Sequence, residues 1–130
     1  MKKLFFILIV IFSLGNGLFA QHQSTEELFD DAEFFFATEE YKEALYLFLQ
    51  LIKRDPDNAN FNFRTGMTYL NIPGEETKAI PYFLKATSNI SLKYKDKDLE
   101  EYRAPHHTWF YLGNAYRINN ELDKALEAYD

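Results

Sequence analysis

The same order of small and large side chains recurs three times along this chain, and this recurrence restricts the fold more than any other feature. The last copy reads Trp109-x2-Leu112-Gly113-x2-Tyr116, followed by Ala125-x3-Tyr129. Ala32 and Ala44 take the places of Gly113 and Ala125 in the first copy. Gly66 and Ala79 take them in the second, if one residue is inserted in the turn at 71–74. Such a repeat predicts a row of helical hairpins that bury their apolar faces against each other.

The residue types at fixed repeat positions have a physical reason. We number the repeats from Thr25, Ala59 and His106, so that small residues stand at positions 8 and 20. Small side chains there let the two helices of a hairpin approach to about 8–10 Å. Large residues at positions 4, 11, 17 and 24 fill the space beside that contact. In the first repeat these are Leu28, Phe35, Tyr41 and Phe48.

Local signals mark where the helices begin and end. Ser24 to Glu27 has the pattern of a capping box before the first helix. The stretch Asp55-Pro56-Asp57-Asn58 suits the turn after the second helix, because Pro cannot continue a helix. Pro81 predicts a mild kink in a helix that begins near Glu75.

These residues resemble the tetratricopeptide-repeat (TPR) pattern, in which W-x2-L-G-x2-Y is followed by A-x3-F. The resemblance implies an all-α TPR solenoid of about 2.7 helix-turn-helix repeats. Repeat one is predicted at 25–58, repeat two at 59–93 and a truncated repeat three at 106–130. Because the apolar stripe of repeat three continues to Tyr129, we expect the chain to be a fragment whose last helix lacks a polar cap.

An inserted loop, residues 91–105, separates repeats two and three. Ala44 and Ala79 are 35 residues apart, whereas Ala79 and Ala125 are 46 apart, against a period of about 34. Loops of this length are usually functional or mobile. The residues from Tyr94-Lys95 through Ala104-Pro105 to Tyr111–Ala125 resemble the N-terminal repeat region of OmpA-family envelope proteins associated with type IX secretion. In such proteins peptidoglycan binding belongs to a C-terminal domain, which would lie outside this chain.

Residues 1–20 have the three-part layout of a cleavable signal peptide. Lys2 and Lys3 precede an apolar run from Leu4 to Leu14, and Ala20 is the small residue at the expected cut. The run is shorter than the ~20 residues that span a bilayer. An uncleaved anchor is the alternative, because Leu18 is bulky for its place before the cut. We expect a mature chain 21–130 in the periplasm, associated with the outer membrane.

Composition argues against several classes of function. The chain has no cysteine and a net charge of −6, which disfavours thiolate metal sites and nucleic-acid grooves. The pair His106-His107 lacks a ligand three or four residues away, so two polar residues opening a helix is favoured over a metal site. Asp55-Pro56-Asp57 lacks the Gly and Glu of a calcium loop. We expect no catalytic residues, no cofactor, no metal and no nucleic-acid partner.

A groove for protein partners is predicted on the concave face of the solenoid, at positions 2, 5, 9 and 12 of the first helix of each repeat. The predicted groove residues are Phe29, Glu33, Phe36, Asn60, Phe63, Met67, Leu70, His107, Phe110, Asn114 and Arg117. The Phe at position 5 of each repeat would form an aromatic stripe suited to an apolar helix or extended peptide. Alternatively, these three rings pack against neighbouring repeats.

The predicted function is therefore that of a non-enzymatic scaffold of the bacterial envelope, which binds other envelope proteins or peptides. The favoured form is the N-terminal part of an OmpA-type, outer-membrane-associated protein. A free-standing periplasmic TPR adaptor that binds a soluble protein or peptide is the alternative, and a protein tethered by an uncleaved segment is a third.

Overall fold

The computed structural model describes residues 22–130, so the predicted signal peptide lies outside the described residues. The described chain is mostly helical, which confirms the all-α class. Its helices are α1 (Thr25–Ala37), α2 (Tyr41–Arg54), α3 (Ala59–Leu70), α4 (Ile80–Ala86), α5 (Thr108–Ile118) and α6 (Leu122–Tyr129). A 3-10 helix, Glu76–Ala79, precedes α4, and two short strands, β1 (Ile90–Ser91) and β2 (Ala104–Pro105), pair in parallel.

Each helix packs against the next one in the chain. We call α1 with α2 the first hairpin, α3 with the 3-10 helix and α4 the second, and α5 with α6 the third. Each of the three turns contains one residue in the left-handed region: Glu39 (φ 63°), Gly74 (φ 85°) and Asn120 (φ 60°). These three residues occupy the same repeat position once the extra residue is placed in the second turn. Gly and Asn adopt this conformation at low cost, so the turns repeat along with the helices.

The predicted helix starts are confirmed where a side chain caps them. The Glu27 amide donates to Ser24 Oγ at 3.1 Å, and the Ser24 amide donates to Glu27 Oε2 at 2.7 Å, which completes the capping box. At α3 the Phe61 amide donates to Asn58 Oδ1 at 3.0 Å. The predicted turn between α2 and α3 is present at Pro56 and Asp57.

The segment predicted as a helix with a mild kink at Pro81 contains two helical types. A 3-10 helix from Glu76 ends at Ala79, and an α-helix begins directly after it at Ile80. Pro81 therefore lies in the first turn of α4, where a missing amide proton costs no helical hydrogen bond. Ala79, predicted at a close helix approach, is fully buried.

Glycine permits the close approach of helices in the second and third hairpins. A Cβ atom built on Gly66 would lie 2.6 Å from the Phe83 ring, and one built on Gly113 would overlap the Tyr129 ring. Both aromatic residues stand at repeat position 24. The expectation that a small residue at position 8 lies against the second helix is therefore met at both glycines.

The core consists of two clusters that meet at α3. The first cluster contains Leu28, Phe29, Ala32, Ala44, Leu47, Phe48, Leu51 and Phe61. The second contains Ala59, Phe63, Ala79, Phe83, Ala86, Ala104, Leu112, Ala115, Tyr116, Ala125 and Ala128. Because α3 contributes to both, it is the central helix of the fold, and residues 59–66 are all buried. None of the helices described in residues 22–130 combines the length and the apolar character that a bilayer crossing requires.

Candidate protein-binding surface

The predicted groove residues do not share one open surface. Phe29, Glu33, Asn60 and Phe63 are buried, Phe36, Met67, Leu70 and Asn114 are half-buried, and His107, Phe110 and Arg117 are exposed. The groove is thus covered at the first two hairpins and open at the third. We therefore call the buried set with Arg64 the covered face, and Phe110, Asn114, Arg117 and Tyr129 the open face.

The prediction of an exposed aromatic stripe is wrong for two of its three rings. Phe29 lies 6.0 Å from Phe61 of α3, measured between ring centroids. Phe63 is surrounded by Phe83, Tyr94, His107 and Tyr111, at 5.8 to 6.3 Å. The alternative, that these rings pack against neighbouring elements, describes Phe29 and Phe63, and only Phe110 remains exposed.

Tyr94 of the inserted segment (residues 91–105) covers the middle of α3. Its hydroxyl donates a hydrogen bond to Asn60 Oδ1 at 2.6 Å, and its ring meets Phe63 edge to face. Burial raises the pKa of Tyr94 to about 12. The phenol is therefore protonated at any physiological pH and keeps the proton that it donates to Asn60.

Three charged side chains connect α1, α3 and the inserted segment: Glu33, Arg64 and Asp96. Arg64 Nε lies 3.0 Å from Glu33 Oε1, and Arg64 also pairs with Asp96 of the inserted segment. The Arg64–Glu33 contact has the distance of an ion pair but lacks hydrogen-bond alignment, so Glu33 Oε1 and Arg64 Nε have no hydrogen-bond partner. Burial raises the pKa of the Glu33 carboxyl, against the lowering effect of Arg64. The attraction between Arg64 and Glu33 therefore offsets only part of the free energy that these charged groups lose on leaving water.

Glu101 holds the base of the inserted segment. Its carboxylate is buried and accepts hydrogen bonds from the backbone amides of Lys95 (3.2 Å) and Arg103 (3.1 Å) and from the Arg103 guanidinium (2.8 and 3.0 Å). The bonds from Arg103 lower the pKa of Glu101. A buried carboxylate with four donors organises the surrounding backbone, so this residue fixes the loop's shape.

The same segment also caps the central helix. The Tyr102 carbonyl accepts hydrogen bonds from the Ala59 and Asn60 amides, at 3.0 and 3.4 Å, at the start of α3. Amides in the first turn of a helix have no partner within the helix. Residues 91–105 are therefore an ordered part of the fold that joins the second hairpin to the third.

The third hairpin presents aromatic side chains to solvent. Phe110 is 55% exposed and Tyr129 is 41% exposed, and their ring centroids are 5.9 Å apart. Together with Trp109 and His106 they line a shallow, mostly apolar depression of about 460 Å³. The Tyr129 hydroxyl donates to Asn114 Oδ1 at 2.8 Å. Rigid aromatic side chains with a polar atom at the edge are common in protein interfaces.

The two histidines at the start of the third hairpin have different surroundings. His107 is the N-cap residue of α5, which begins at Thr108, and His106 lies in the turn before it. The His107 ring meets Phe63 and Tyr111 edge to face, at 5.8 and 5.7 Å. Within residues 22–130, no group of three or more His, Asp or Glu side chains is placed to hold a metal ion.

Four residues that shape this surface were absent from the sequence-based prediction: Arg64, Tyr94, Glu101 and Tyr129. The repeat pattern could have indicated Tyr129, because position 24 of the repeat faces position 8. No sequence pattern could have indicated the other three residues, since their roles depend on where the inserted segment lies. No protein-family model matches this chain, and no curated protein matches it.

Proposed function

We propose that this chain is the TPR-type repeat region of a non-enzymatic envelope scaffold, which binds other envelope proteins through the open face. In the favoured form it is the N-terminal part of an OmpA-type protein associated with the outer membrane. The observation that carries the proposal is the exposed aromatic pair Phe110 and Tyr129, whose counterparts in the second hairpin are buried.

Repetition supports the TPR assignment. In the second and third hairpins the residue at position 8 is a glycine that lies under an aromatic ring from position 24. All three turns place a left-handed residue at the same position. Repeat proteins of stacked hairpins commonly bind other proteins through the extended concave surface that the stack forms.

The composition of the open face supports a protein partner. Phe110 and Tyr129 offer apolar area, Asn114 offers an amide, and Arg117 offers an exposed guanidinium, a group that pairs with carboxylates. Aromatic side chains and arginine contribute most of the binding energy in many interfaces. The partner that fits presents an apolar side chain beside an acidic one.

The experiment compares two phenylalanines of similar exposure in the native host. Phe110 is 55% exposed on the open face, and Phe34 is 61% exposed on the first hairpin. After chemical crosslinking in cells, we expect Phe110→Ser to lose crosslinked envelope proteins that wild type and Phe34→Ser both retain. An identical set of crosslinked proteins for all three would refute the open face as the binding surface.

Cell fractionation separates the forms of the proposal. We expect a chain without residues 1–20 that co-fractionates with the outer membrane. Recovery in the soluble periplasm with a soluble partner would favour the free-standing adaptor instead. An intact Met1 in the membrane fraction would favour an uncleaved anchor.

A further inference from the structure

We propose that the covered face is itself a binding groove for a peptide that folds into a turn, and that residues 94–99 are its resident, displaceable occupant. The partner that fits carries a tyrosine, a carboxylate two residues later and an aliphatic side chain three residues further. This is the order of Tyr94, Asp96 and Leu99. The inference goes beyond the proposed function, because it concerns a different surface and holds whether or not the open face binds envelope proteins.

The resident segment uses its side chains as a bound peptide would. Tyr94 reaches Asn60 and Phe63 on α3, Asp96 pairs with Arg64, and Leu99 packs against the apolar cluster of the first hairpin. The contacts therefore run in order from the second hairpin to the first. The segment makes these contacts through a turn, because Lys97 has a left-handed backbone (φ 59°) and the Asp98 amide donates to the Lys95 carbonyl at 3.4 Å.

The floor of the groove contains a polar group that the resident leaves unpaired. Asn60 is fully buried, and its Nδ2 has no hydrogen-bond partner within residues 22–130. Arg64 Nε and Glu33 Oε1 lie 3.0 Å apart as an ion pair without hydrogen-bond alignment. Buried polar groups are nearly always paired in native proteins. A peptide that placed a backbone carbonyl near Asn60 Nδ2 would satisfy a donor that residues 94–99 do not.

Several contacts hold the base of the loop without its tip, and two hydrogen bonds join base and tip: from the Lys95 amide to Glu101, and from the Glu101 amide to the Asp98 carbonyl. Ile90 and Ser91 pair with Ala104 and Pro105, and the Tyr102 carbonyl caps α3. By contrast, the Asp96 side chain is 63% exposed. Leu92, which lies just before residues 94–99, is 85% exposed. The tip can therefore leave the groove while the base stays in place.

The experiment weakens the resident in the chain and supplies its sequence as a separate peptide. The probe is a fluorescein-labelled peptide of residues 92–101, and the variant carries Tyr94→Phe with Asp96→Asn. We expect the probe to bind this variant about tenfold more tightly than wild type, because the variant loop loses a hydrogen bond and an ion pair. The control variant, Leu92→Ser with Lys93→Ala, should bind like wild type.

A second peptide distinguishes recognition from general loosening of the fold. The same probe with Phe and Asn in place of its tyrosine and first aspartate should bind the weakened variant about tenfold less tightly. Equal binding of the two peptides would overturn the proposal, as would no binding to the weakened variant. A dimer by light scattering, formed by exchange of the loop between two copies, would also overturn it.

If circular dichroism shows the weakened variant to be unfolded, wild type decides the question. Excess probe should then accelerate hydrogen exchange at the Lys95 amide, which donates to Glu101 in the resident state. Unchanged exchange at saturating probe would overturn the proposal.

Discussion

The second and third hairpins contain the same packing unit and differ in what covers it. In the second, the Phe83 ring lies against Gly66, and its centroid is 6.3 Å from that of Phe63. In the third, the Tyr129 ring lies against Gly113, and its centroid is 5.9 Å from that of Phe110. The first pair is buried because Tyr111 of α5 stacks on Phe83 and the inserted segment brings Tyr94 to Phe63. Within residues 22–130 the second pair is exposed, so the same local chemistry forms core in one place and surface in the other.

This difference teaches that the repeat motif determines the hairpin but not its exposure. Each hairpin forms from contacts between its own two helices, through the small residue at position 8 and the aromatic at position 24. Burial of the same side chains requires a further element, whether the next helix or the inserted segment. The predictions below compare matched positions in the two hairpins and then examine the covering segment.

The largest expected effect comes from removing the aromatic at position 24. Phe83→Ala should lower the free energy of unfolding by about 3–5 kcal/mol, because a fully buried ring leaves a cavity. Tyr129→Ala should cost about 1 kcal/mol, since its ring is already partly in solvent. Urea unfolding of both variants measures the difference, and equal losses would show that the third hairpin is as tightly packed as the second.

The glycines under these rings should respond in the same order. Gly66→Ala should cost about 1–3 kcal/mol, because the new methyl group overlaps a ring that has no room to move. Gly113→Ala should stay within about 1 kcal/mol of wild type, because Tyr129 can turn toward solvent and alanine favours the helix. Thermal melts of the two variants test this, and a larger loss at Gly113 would contradict the comparison.

Acid should weaken the covering segment through Glu101. Its pKa is lowered in the folded state, so the stability that it contributes is present above its unfolded value, near 4.5, and is lost as pH falls through the folded value. The melting temperature of wild type should therefore approach that of Glu101→Gln as the pH falls below 4.5. A gap between the two proteins that stays constant down to pH 2 would contradict the role of the ionised carboxylate.

Glu33 should show a smaller effect of opposite sign. Burial raises the pKa of Glu33 in the folded state above its ordinary value of 4.5. The contribution of Glu33 to the stability of the fold is therefore greatest below pH 4.5 and is lost as the pH rises through the folded pKa. The melting temperature of Glu33→Gln relative to wild type should therefore rise as pH increases from 4.5 toward 7. Asp31→Asn, an exposed change on the same helix, serves as the control. A relative melting temperature for Glu33→Gln that falls over this range would show that pairing with Arg64 outweighs the cost of burial.

Much of the fold was predictable because its determinants are local. The capping box at Ser24, the turn after α2 and the small residues at helix crossings all follow from residues close in sequence or from a fixed repeat. The change from a 3-10 helix to an α-helix just before Pro81 was not predicted, since proline is compatible with the first turn of a new helix as well as with a bend. The candidate surface was harder, because its four buried members, Phe29, Glu33, Asn60 and Phe63, all contact residues about thirty positions away or more.

The sequence by itself determined an all-α chain of helical hairpins with a glycine at the crossing in two of them. It did so because the spacing of small and large residues dictates which side chains of a hairpin meet. Only the tertiary structure decided which of those hairpins has a covered face. That outcome depends on the path of residues 91–105, whose contacts with Asn60, Arg64 and the first hairpin are long-range. No periodic pattern encodes such contacts, because each depends on a single pairing between residues far apart in the chain.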